Sequence, residues 1–145
     1  MLTEEEINEK IRLATIITDE DKDDFTIEEC LKFLPTESLE VLYSRYDISE
    51  YYDYTSHHSR KKTKSQKIKY IASEIPGQFL DYYRFMMKKS GQEKIKKLCR
   101  GKKLEIDYDI IDLAYFGFVY FREKNSEIEI IFPYDLGYFI EDFFM

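Results

Sequence analysis

The sequence predicts an α+β protein, mostly α-helical, with one antiparallel β-hairpin near its C-terminal end. Three observations carry that expectation. Apolar residues recur at helical spacing in several separate stretches between residue 3 and about residue 116. After Gly117 the spacing changes to two. Only 5 Gly and 3 Pro interrupt 145 residues, too few for a turn-rich all-β architecture. A hydrophobic share of 43% is ordinary for a folded chain and excludes a disordered one.

Thr3 and Glu6 form a capping-box pattern that opens a helix over 3–18, with Ile7, Ile11, Ala14 and Ile17 on one face. Residues 19–24 are an acidic connection. Thr26 and Glu29 open a second helix, with Phe25 placed to staple against Cys30, and it runs to about Leu34. Pro35 breaks it. Thr36 restarts a helix to about Tyr46, with Leu39, Leu42 and Tyr43 apolar. Residues 47–62 lack periodicity and read as a loop. Thr63 and Gln66 open a helix over 64–75 with Ile68, Ile71, Ala72 and Ile75 inward. Pro76 and Gly77 are expected to end it. Further helices are expected over 78–89, 92–100 and 108–116.

Residues 118–122 and 127–132 read as strands joined by the loop 123–126, with Ile128, Ile130 and Phe132 facing one way. A lone hairpin is marginal in water, so it must pack on the helices before it. Pro133 ends it, and 135–144 form a terminal turn or helix with Leu136, Phe139, Ile140 and Phe143 inward. The expected core is Ile68, Ile71, Ile75, Leu113, Phe116, Val119, Ile130 and Phe132. Three segments, 1–34, 35–90 and 91–145, are expected to share one compact unit.

Charge is segregated. Residues 1–59 hold 16 acidic and 5 basic side chains, net −11; residues 60–103 hold 15 basic and 3 acidic, net +12; residues 104–145 hold 10 acidic and 2 basic, net −8. Fields act locally because salt screens beyond roughly 10 Å, so the basic block matters more than the overall −7. It marks a candidate nucleic-acid surface. Its leading residues are Arg60, Lys61, Lys62, Lys64 and Lys67, preceded by Tyr51 and Tyr52. Cations beside stacking aromatics suit single-stranded nucleic acid, and the expected partner is single-stranded or duplex nucleic acid. The alternative is a protein-interaction module or inhibitor that engages a basic protein through Asp107, Asp109 and Asp112 and mimics a polyanion.

Two stretches resemble known families. Leu39, Leu42, Ile48, Lys61, Lys64, Ile68 and Ile71 resemble the helix–loop–helix module of SAP and Rho N-terminal type, over about 34–75. The loop here is longer and lacks the usual glycine. Residues 92–142 resemble the end of a winged helix: Leu113-Ala114-Tyr115-Phe116-Gly117 closes a helix, Phe118-Val119-Tyr120 launches a strand, and Ile131-Phe132-Pro133 closes the next. Small bacterial proteins join such a module to such a tail. The resemblance implies a nucleic-acid-associated or regulatory role. It also implies that 108–116 is the recognition helix, yet that helix is acidic and carries no Lys or Arg, a poor match to phosphates.

No phosphate-binding, dinucleotide-binding, nucleophile-elbow or zinc-protease motif occurs. Cys30 and Cys99 stand alone, and His57 and His58 lack enough partners for a structural metal. The run Asp19, Asp21, Asp23 fails as a calcium loop, because Asp24 replaces the turn glycine and Cys30 the bidentate glutamate. The expectation is a non-enzymatic protein with no metal and no cofactor. The N-terminus is acidic where a leader would be basic, and no apolar run could span a bilayer, so a cytoplasmic protein with no membrane partner is expected.

Overall fold

The computed structural model describes residues 2–47 and 62–144. They form α1 (Glu4–Leu13), α2 (Ile27–Phe33), α3 (Thr36–Tyr46), α4 (Lys64–Phe85), α5 (Lys89–Cys99) and α6 (Tyr108–Tyr115). Then follow β1 (Tyr120–Lys124), β2 (Glu127–Ile131) and α7 (Tyr134–Phe144). The protein is a mostly helical α+β structure with one antiparallel hairpin, as the periodicity predicts. All three capping boxes form. Thr3, Thr26 and Thr63 each accept a bond from the N–H three residues on, and Glu6, Glu29 and Gln66 each accept one from the threonine N–H. Each box satisfies two donors that a helix start leaves without partners.

Three boundaries differ from the sequence pattern, each for a local reason. First, α1 stops at Leu13, because Thr15-Ile16-Ile17-Thr18 is a β-branched run with little helix propensity. The chain instead runs parallel to β1: the Phe121 N–H donates to the Ala14 carbonyl at 2.9 Å, and the Ile16 N–H donates to the Phe121 carbonyl at 2.8 Å. Ile16 is buried and Ile17 is 71% exposed, reversing the helical expectation for Ile17.

Second, α4 continues through Pro76 and Gly77 as one helix of 22 residues. Ile71, Ile75 and Phe79, four residues apart, are all fully buried. Burying such side chains stabilises by about 1.5–3 kcal/mol each. That is enough to offset the roughly 3 kcal/mol that an interior proline costs.

Third, the hairpin loop contracts to two residues. Asn125 and Ser126 have φ of 53° and 65°, the left-handed pair that a tight hairpin turn requires. Tyr120 opposes Ile131 and Phe121 opposes Ile130. The core covers only this base. Ile131 is therefore buried, and Ile128, near the tip opposite Glu123, is exposed. Ile68, Phe116, Ile130 and Phe132 sit half-buried at the core's edge, whereas Ile71, Ile75, Leu113 and Val119 are buried as expected. In α7, Leu136 and Ile140 point inward but Phe143 is exposed.

One hydrophobic cluster runs from Ala14 to Ile140 through all three segments. Helix α4 packs on α2 and α3, α5 packs on α6 and α7, and α1 packs on α3 and α6. Phe79 meets Phe118 edge-on at 5.1 Å, tying α4 to the approach of β1. Gly117 makes that approach possible. Its φ is +79°, and a Cβ there would lie 3.1 Å from both Leu42 Cδ2 and Tyr120 Oη.

Candidate functional site

Cations outside the central block are all engaged. Arg12 pairs with Glu9 and Glu37, Lys22 with Glu20 and Glu29, and Lys124 with Asp21. Arg122, almost wholly buried, pairs with Glu129 across the hairpin and with Asp23, and also donates to the Lys22 carbonyl at 2.7 Å. The acidic run 19–24 is thereby held against the hairpin. Lys10 and Arg45 lie over the Tyr115 ring, and Lys32 lies over Phe33.

The central block divides in two. At the start of α4, Lys67 pairs with Glu40 at 2.6 Å and lies over the Tyr43 ring. Lys62 lies 4.4 Å from the Tyr70 ring centroid. Both predicted site residues thus have partners on the α3–α4 surface, although Lys62, like Lys64, is exposed. Tyr51, Tyr52, Arg60 and Lys61, together with Ile48, His57 and His58, lie outside the described residues. The α5 end is different. Gly91, Ile95 and Leu98 take its buried face. Lys89, Lys96, Lys97 and Arg100 therefore fall on the opposite, exposed face, with Glu93 among them. Gly101, with φ +72°, ends the helix, and exposed Lys102 and Lys103 follow. None of these six cations has a carboxylate or aromatic partner among the described residues. Sequence reasoning located the block but weighted its other end; the inward phase of Gly91, Ile95 and Leu98 was the signal that picks out this face.

The three aspartates have local tasks. Asp107 caps α6, accepting from the Ile110 N–H at 3.1 Å. Asp107 and Asp109 both hold Lys94, joining α6 to α5. The Lys94 ammonium keeps the Asp109 carboxyl below its ordinary range, helped by the Ser90 hydroxyl. Asp112 is pushed the other way by partial burial and by Asp109 nearby. It lines a cleft of about 70 Å3 with Met86, Met87 and Lys88.

Burial raises both thiols, Cys99 to about 11 and Cys30 further, so neither is a ready nucleophile at neutral pH. Among the described residues no cluster of three or more His, Cys, Asp or Glu side chains could hold a metal ion. None of their helices is long and apolar enough to cross a membrane. No protein-family model, curated protein or solved structure matches this chain.

Proposed function

We propose that this protein is a non-enzymatic, nucleic-acid-associated module that binds through its basic central block, residues 60–103. One observation carries the reading. Among the described residues, four of the seven cations outside the block pair with carboxylates and the other three lie over aromatic rings, whereas within it only Lys67 and Lys94 pair with carboxylates and only Lys62 and Lys67 lie over rings. A fold that engages its other cations leaves the rest of this set for an outside polyanion. The winged-helix-like reading of the tail belongs to the same proposal, with the acidic α6 kept away from phosphate. The alternative, a basic protein docking on Asp107, Asp109 and Asp112, draws less support, because two of the three already hold Lys94.

The test is a salt titration of fluorescent oligonucleotides, single-stranded and duplex. Binding at about 50 mM salt that falls steeply as salt rises is the expected result, since counterion release drives such complexes. Absence of binding at that salt overturns the reading.

A further inference from the structure

We infer that the contact surface is the solvent face of α5 with the turn that follows it, and that its ligand is the phosphate backbone of a nucleic-acid duplex. The inference rests on the nucleic-acid reading above and narrows it. Helix α5 spans 11 residues, about 16 Å at 1.5 Å per residue. Lys89, Lys96, Lys97 and Arg100 share one face, and neighbours three or four apart on a helix lie within a few ångströms of one another. Exposed Lys102 and Lys103 follow in the turn after Gly101, which the Lys102 N–H ties to the last helical turn by donating to the Lys97 carbonyl at 3.0 Å. Glu93 interrupts the helix face on the N-terminal side, which centres the surface on Lys96, Lys97, Arg100, Lys102 and Lys103. Helix α7 packs on α5 and carries the exposed Glu141, whose charge reaches Cys99 of α5.

The face carries no aromatic ring. Base stacking is what favours single strands. A ring-free row of cations gains instead from charge density, and a duplex carries one charge per about 1.7 Å of axis. Phosphate contacts hold no sequence information, so the recognition is sequence-independent.

The experiment uses the full chain, one fluorescent DNA duplex, one strand of it alone, and anionic phospholipid vesicles. Two matched variants are compared: K96A/K97A/R100A on α5 and K62A/K64A/K69A at the start of α4. All six positions are exposed, and circular dichroism checks that both variants keep the wild-type fold. Wild type should bind duplex more tightly than single strand. The α5 variant should lose about tenfold or more in duplex affinity and flatten the log–log salt slope by about 1 per cation removed. The α4 variant should lose clearly less. A greater or equal loss in the α4 variant, or tighter binding of the single strand, overturns this inference and leaves the nucleic-acid reading standing. Binding to vesicles alone, or to nothing at about 50 mM salt, overturns both.

Discussion

The hairpin carries two cations, Arg122 and Lys124, both paired with carboxylates, whereas the α5 end carries many more and leaves most of them without such partners among the described residues. Arg122 is buried between Glu129 and Asp23 and reaches a backbone carbonyl besides. Arg100 stands in water with no carboxylate beside it among the described residues. The first arginine holds the structure together. The second contributes little to it, since isolated surface charges are worth about 0–1 kcal/mol even when paired. A cation's partner, rather than its place in a basic or acidic stretch, decides whether it serves the fold or is free for something else.

The comparison needs a common foundation, and α4 supplies it. Ile71 is fully buried where α4 meets the rest of the core. Ile71→Ala should cost about 2–5 kcal/mol, as removal of large core side chains does. Chemical denaturation measures this. A loss under about half a kcal/mol would mean that α4 is not the shared support of both regions.

The next test compares the arginines themselves. Arg122→Met leaves Glu129 and Asp23 without their partner and should cost about 1–3 kcal/mol. That is less than for a fully buried pair, because both carboxylates reach water. Arg100→Met should stay within about half a kcal/mol. Equal losses from the two in thermal or urea unfolding would break the comparison.

These contrasts also mark how far the sequence could be read. Helix starts were legible because a capping box is local: Thr3, Thr26 and Thr63 each meet a partner three residues away. The inward phase of Ile71, Ile75 and Leu113 was legible for the same reason. Pro76 misled, because a rule about local cost is overridden when Phe79 beyond it is buried by tertiary packing. Ile17 misled because it matched helical spacing while its β-branched neighbours did not favour a helix. At the site, the charge count located the basic block. Which of its cations are engaged depends on Glu40, Asp107 and Asp109, and no local pattern shows that Lys67 and Lys94 meet them.

Acid separates the two regions by a different measurement. Asp109 is held below its unfolded value of 3.8 by Lys94. Its contribution to stability is therefore complete above that value and is lost as pH falls through the lower, folded one. No such loss attaches to cations without carboxylate partners. The urea midpoint of the wild type should thus fall more steeply below about pH 4 than that of Lys94→Met, while the K96A/K97A variant should track the wild type. Parallel curves for wild type and Lys94→Met would show that the α5–α6 ion pair contributes nothing to folding.

The smallest effect tests whether the partner rule extends inside the core. There the hydroxyls of Tyr120 and Ser38 are buried without a hydrogen-bond partner among the described residues. Both residues line a cavity of about 20 Å3 beside Leu42 and Ala114. A buried hydroxyl without a partner costs free energy, whereas deleting it and keeping the ring's shape is nearly neutral or stabilising. Tyr120→Phe should therefore change stability by less than about half a kcal/mol, or raise it by up to about 1 kcal/mol. A cavity of this size can hold one water, and a water bonded to both hydroxyls would reverse the sign. Loss of more than about 1 kcal/mol in Tyr120→Phe, coupled non-additively to Ser38→Ala, would place Tyr120 with the partnered groups. The rule that separates Arg122 from Arg100 would then hold throughout the molecule, in the core as well as at the surface.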